Sequence, residues 1–196
     1  MMNTDLRDRL LALAAHDLAV RAELAAVGSL FDGYHPIMRA VHEENATQLM
    51  AILTASGWPT ADQVGEDGAQ AAWLIAQHAI GLPPVQRACL CALHAAVARR
   101  QIPAWQPATL LDRIRTLEGK PQLFGTQFDW DDAGDVSPMP IADAETVDAR
   151  RTGIGLPPMA DSSADQRARW GNEKPPPDPD QRRLAAEEWA KRTGWR

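Results

Sequence analysis

Residues 38–53 read MRAVHEENATQLMAIL. At about 100° per residue, Met38, Val41, Leu49, Ile52 and Leu53 line one face of a helix. His42 and Asn45 fall inside that apolar stripe, whereas Glu43, Glu44, Thr47 and Gln48 fall on the opposite, wet side. A helix built only to pack carries Leu or Ala at positions 42 and 45. Burying an imidazole or a carboxamide costs about 1–3 kcal/mol each unless it finds partners. The stretch therefore predicts a helical domain in which this helix borders a pocket or anchors a polar network.

Working outward, residues 4–27 read as a helix with Thr4 as N-cap and Gly28 as its stop. Leu6, Leu10, Leu13 and Ala14 give it a buried stripe, broken by His16 and Asp17. Gly33 to Pro36 is a turn, because the residue before a proline avoids the helical region. After Gly57-Trp58-Pro59 and a loop at 65–68, residues 69–80 are apolar on nearly every side, the mark of an enclosed helix. Further helices are expected over 85–100 and 107–118. The period then changes: 122–128 alternates like a strand, 129–135 is an acidic loop, and 136–141 is the partner. Pro138 and Pro140 confine that partner to an edge strand or extended arm.

A short helix at 144–151 precedes a Gly/Pro loop, the polar stretch from Ser162, a stiff proline linker at 174–180 and a last helix at 181–193. The expected fold is mainly α: a bundle of five or six helices with a small β-hairpin or extended arm, plus a C-terminal tail helix. The expected organisation is one domain over 1–160, followed by a linker and helix over 161–196. Trp170, Trp189 and Trp195 are three of the seven tryptophans, which predicts that the tail docks on the body or on a partner.

The 196 residues are 45% hydrophobic, enough for a core, and carry a formal net charge of −6. That balance argues against a nucleic-acid surface, since the densest basic cluster, Arg167 to Lys191, is interleaved with Asp and Glu. The first twenty residues form an amphipathic helix rather than a signal peptide or membrane span. Cys89 and Cys91, two apart on a helix, point about 200° from each other and form neither a disulfide nor a shared metal site. A cytoplasmic protein is expected.

The candidate site gathers around His42 and His78 as acid/base groups, because imidazole is the side chain that titrates near neutral pH unaided. Asn45, Gln77, Gln122 and Gln127 are the expected polar contacts to a substrate, and Arg113 the expected anion clamp. Each residue also has a plainer reading. His42 and Asn45 suit a satisfied core network, and Gln77 with His78 suits a helix C-terminal cap. Gln122 and Gln127 suit a strand packed on helices. Asp112 points away from its helix's apolar face, and Gly125 permits close backbone approach. Two histidines are able to converge with a carboxylate on a metal, yet no HExxH, CxxC or HxxxH spacing is present. No metal ligands are assigned from sequence and the cofactor is left open. A P-loop, a GxGxxG and a GxSxG elbow are absent.

Gly57-Trp58-Pro59, Gln77-His78-Ala79, Asp112-Arg113-Ile114, and Gln122 before Gly125-Thr126-Gln127 occur in that order, followed by Pro140-Ile141, Val147 to Arg151 and Gly155-Leu156. The pattern resembles an uncharacterised bacterial family, domain of unknown function 6624, over about residues 35–160. Phe124 stands where the pattern has tyrosine. The resemblance implies a shared polar centre and supplies no reaction. The expected function is a small enzyme using His acid/base chemistry on a small polar or anionic ligand. The alternative is a non-catalytic immunity or regulatory module that binds a protein partner. Neither reading involves nucleic acid or a membrane.

Overall fold

The computed structural model describes residues 2–28, 34–170 and 178–196. Gly33 and the linker prolines 175–177 lie outside them. Their contacts gather into two compact units, Met1–Ile102 and Pro103–Arg196. Among the described residues there are eight α-helices and one two-stranded antiparallel hairpin, so the chain is mainly α. No described helix is long and apolar enough to cross a membrane.

The first unit contains α1 (Thr4–Ala26), α2 (Pro36–Ser56), α3 (Ala61–His78) and α4 (Pro83–Ala98). The cap of α1 is Asn3 rather than Thr4: its side chain accepts from the Leu6 amide at 3.0 Å. Helix α1 packs on both α2 and α3 around Leu10, Ala14, Leu49, Ile52, Val64, Ala72 and Ile75. Helix α3 begins before the expected loop, which is only a break at Gly65, where φ is +75°. The α3 carbonyls of Ala76 and Gln77 accept Nε2 of the fully buried Gln86 from α4, at 3.0 and 3.2 Å. That bond satisfies orphan carbonyls at the helix end and fixes the turn that carries His78.

The second unit contains α5 (Trp105–Leu117), β1 (Phe128–Trp130), β2 (Val136–Pro138), α6 (Val147–Thr152), α7 (Met159–Trp170) and α8 (Pro179–Thr193). The hairpin pairs Phe128 with Pro138, Asp129 with Ser137 and Trp130 with Val136. Residues 122–127 are not the strand their alternation suggests. Asp112 takes the amides of Leu123, Phe124 and Thr126 at 2.7–3.1 Å, together with the Thr126 hydroxyl at 3.0 Å. Gln122 spans the same loop, donating Nε2 to the Gln127 and Met139 carbonyls and accepting the Gln127 amide, all at 2.8 Å. Side chains thus consume the backbone groups that a ladder needs. Asp112, placed on an outer face by helical phase, is fully buried.

Arg151, 2% exposed, closes the loop from behind with bonds to the Phe124 and Pro157 carbonyls and the Ser162 hydroxyl. Arg150 holds the Leu123 and Ala142 carbonyls. Asp112, Gln122, Thr126, Arg150 and Arg151, all within the motifs that carry the family resemblance, are therefore cross-links of one loop.

Helix α7 was not expected from the sequence. It packs on β2, with Arg167 on the Val136 carbonyl and Trp170 against Trp130 at 5.7 Å between ring centroids. Helix α8 reaches the hairpin through Arg182 on Asp129 at 2.7 Å, and Trp195 after it is buried. The tail thus docks within its own unit.

Gly125 sits at φ +65°, and a Cβ there would lie 2.5 Å from Met159 Sδ and 2.9 Å from Ile141 Cδ1. Gly125→Ala is expected to cost about 1–3 kcal/mol, combining left-handed strain with overpacking. A urea melt showing no loss would refute the close approach.

Candidate functional site

Three helices each deliver one side chain to a single point in the first unit. Helix α1 brings Asp17, which lies on the buried face with Leu10, Ala14 and Leu24. Helix α2 brings His42 from within its apolar stripe, and the end of α3 brings His78. Nδ1 of His78 lies 3.0 Å from both Asp17 oxygens, and Nε2 of His42 lies 3.4 Å from Oδ2. The Tyr34 hydroxyl is 2.8 Å from Nδ1 of His42, and the two rings stack at 28°. The imidazole centroids of His42 and His78 are 5.0 Å apart.

Burial is graded across the cluster. The Asp17 side chain is 0% exposed, that of His42 10% and that of His78 22%, so His78 is the member open to solvent. Burial by itself would raise the Asp17 pKa. The hydrogen bonds and charges of His42 and His78 outweigh it and hold the carboxyl well below the usual range. Burial, with the Glu43 carboxylate nearby, pushes the Tyr34 phenol above its ordinary value, so it stays protonated.

A buried carboxylate bonded to Nδ1 of a histidine fixes the tautomer, leaving Nε2 with the lone pair. The arrangement is thus able to take up and return a proton. The same three residues each offer a ligand atom, and these atoms lie within 4.8 Å of one another.

Asn45 is buried and donates to the Leu13 carbonyl at 3.2 Å, so it ties α2 to the α1 turn that leads into Asp17. Gln77, 8% exposed, precedes His78 on α3. Arg113, Gln122 and Gln127 belong to the second unit. Burial pushes the Arg113 guanidinium down to about 10. Gln122 is committed to its own loop, and Nε2 of Gln127 lies 3.1 Å from the Thr126 hydroxyl. A cavity of about 330 Å³ in the first unit, lined by Ser56, Gly57, Trp58, Gln63, Arg99 and Gln101 among others, includes none of Asp17, His42 or His78.

Sequence reasoning missed Asp17 and Tyr34 as site members. An acid in the buried register of α1 was the available signal for the first. Tyr34 lies in a bend ahead of α2, where no periodicity applies.

A family model described as "Family of unknown function (DUF6624)" matches residues 4–166. No curated protein and no solved structure matches the chain.

Proposed function

The chain belongs to this DUF6624 family of unknown function, and we propose that it is an enzyme performing acid/base chemistry on a small polar substrate. One observation carries the reading: a fully buried carboxylate, Asp17, accepts from Nδ1 of the partly exposed His78. Asp17 orients the imidazole and stabilises its cationic form, and His78 Nε2 accepts and returns the substrate's proton. His42, held between Tyr34 and Asp17, keeps the carboxylate in place. Asn45 positions α1, and Gln77 is the proposed neighbouring polar contact. The proposal includes a cytoplasmic setting, which suits the free thiols of Cys89 and Cys91.

The test starts from a thermal-shift screen of small polar metabolites on the full chain, followed by assay of the hits. His78→Gln retains a side-chain donor beside Asp17 and lacks a titrating group. It is expected to lose about 10²–10⁴-fold in turnover with little change in stability. Turnover by His78→Gln at the parent rate would sink the proposal.

A further inference from the structure

We infer that Asp17, His42 and His78 bind one divalent transition-metal ion. The inference rests on reading these residues as the working centre; it changes what accepts the proton, and it has His78 Nδ1 present a lone pair to the ion in place of an N–H to Asp17.

Four observations converge on it. The donors are two imidazole nitrogens and one carboxylate, a set that suits zinc, iron or cobalt. Magnesium and calcium prefer oxygen ligands. Two of the three donor separations already fit, and all three lie within 4.8 Å: an ion held about 2.0–2.2 Å from each donor, at angles of about 90–109°, sets neighbouring donors about 2.8–3.6 Å apart. The separations here are 3.0 Å for His78 Nδ1 to Asp17 and 3.4 Å for His42 Nε2 to Asp17. The ligands come from three separate helices and lie mostly buried, so their convergence is built into the packing rather than into one surface loop.

The fourth observation is Tyr34. A metal-bound imidazole normally gives its other N–H to a fixed acceptor. The Tyr34 oxygen stands 2.8 Å from His42 Nδ1, on the side away from Asp17. Three protein ligands leave a coordination position open, and the exposure of His78 puts that side of the cluster nearest solvent. Water on such an ion has a pKa near 7 instead of about 15.7. In the loaded protein this water would lose a proton to solvent near neutral pH, and the hydroxide left on the ion, rather than an imidazole, would accept the substrate's proton and become water again.

The full chain, stripped with chelator, is titrated with Co(II), Zn(II) and Mg(II) by calorimetry, with visible absorption recorded for Co(II). One Co(II) or Zn(II) per chain is expected, with a cobalt d–d band and a higher Tm, and Mg(II) is expected to bind far more weakly. Asp17→Asn and His78→Gln should each abolish the band, and Tyr34→Phe should weaken binding by about 10–100-fold. Circular dichroism checks the variants, and His78→Gln, at a partly exposed position, decides the matter if Asp17→Asn fails to fold. Absence of saturable binding by the parent chain, or an unchanged band in His78→Gln, overturns the inference.

The two readings fail separately. A metal-free parent that binds no ion but keeps a turnover that His78→Gln loses removes the metal and leaves acid/base chemistry by imidazole. Metal binding as expected, with turnover unaffected by His78→Gln, removes the acid/base reading and leaves the metal centre.

Discussion

Asp112→Ala is expected to lower the stability of the second unit by about 3–5 kcal/mol, the range of a broken buried polar network. The carboxylate accepts three backbone amides and one hydroxyl of residues 123–126 and is fully buried. Hydrogen bonds to a charged group are worth about 1.5–3 kcal/mol each, and alanine leaves all four donors stranded together. Part of that loss is recovered by water entering the vacated space. Asp112→Asn is the informative companion, since its NH₂ would face donors where the carboxylate presents an acceptor. It is expected to destabilise despite conserving shape. Five of the seven tryptophans, at 105, 130, 170, 189 and 195, lie in this unit. A urea melt followed by their fluorescence therefore reports on it, and a loss below about 1 kcal/mol for Asp112→Ala would contradict the network.

His42→Ala is expected to cost about 2–4 kcal/mol in the first unit, somewhat under the usual loss on removing one partner of a buried ion pair. The carboxylate of Asp17 would keep both bonds to His78, but the Tyr34 hydroxyl would lose its nitrogen and the ring's volume would be left empty. Asn45→Leu should cost less, about 1 kcal/mol, because it removes one bond to a carbonyl that already lies inside α1. Equal and negligible effects in thermal melts of the two variants would mean that His42 does not anchor the carboxylate. A larger loss for His42→Ala than for Asn45→Leu is the result expected if His42 anchors the carboxylate as proposed.

Helical phase alone revealed much of this. It placed His42 and Asn45 on the buried side of α2, where both are found. It also identified α1, α2, α4 and α5 closely, because their apolar residues recur with the period of the helix. Helix α7 escaped since its residues, MADSSADQRARW, include no apolar stripe and none is buried. The 122–127 segment misled for a different reason. Alternation reports which side chains face inward, but not which backbone groups have been taken by Asp112 and Gln122 from outside the strand pattern. The candidate site was half legible on the same grounds. Two of its members lie within regular stripes, Asp17 interrupts one, and Tyr34 stands outside any repeat.

The three residues of the centre, Asp17, His42 and His78, also have an order in time. All precede Pro103, the first residue of the second unit, so the ribosome has joined the whole centre before that unit begins. Domains fold as they are made, N-terminal first, at about 5–20 residues per second. The donors are therefore synthesised, and able to come together, several seconds before synthesis reaches the C-terminal helix. A nascent chain stalled far enough beyond residue 102 to bring the whole first unit clear of the ribosome is the form in which the assembly of this centre is best watched.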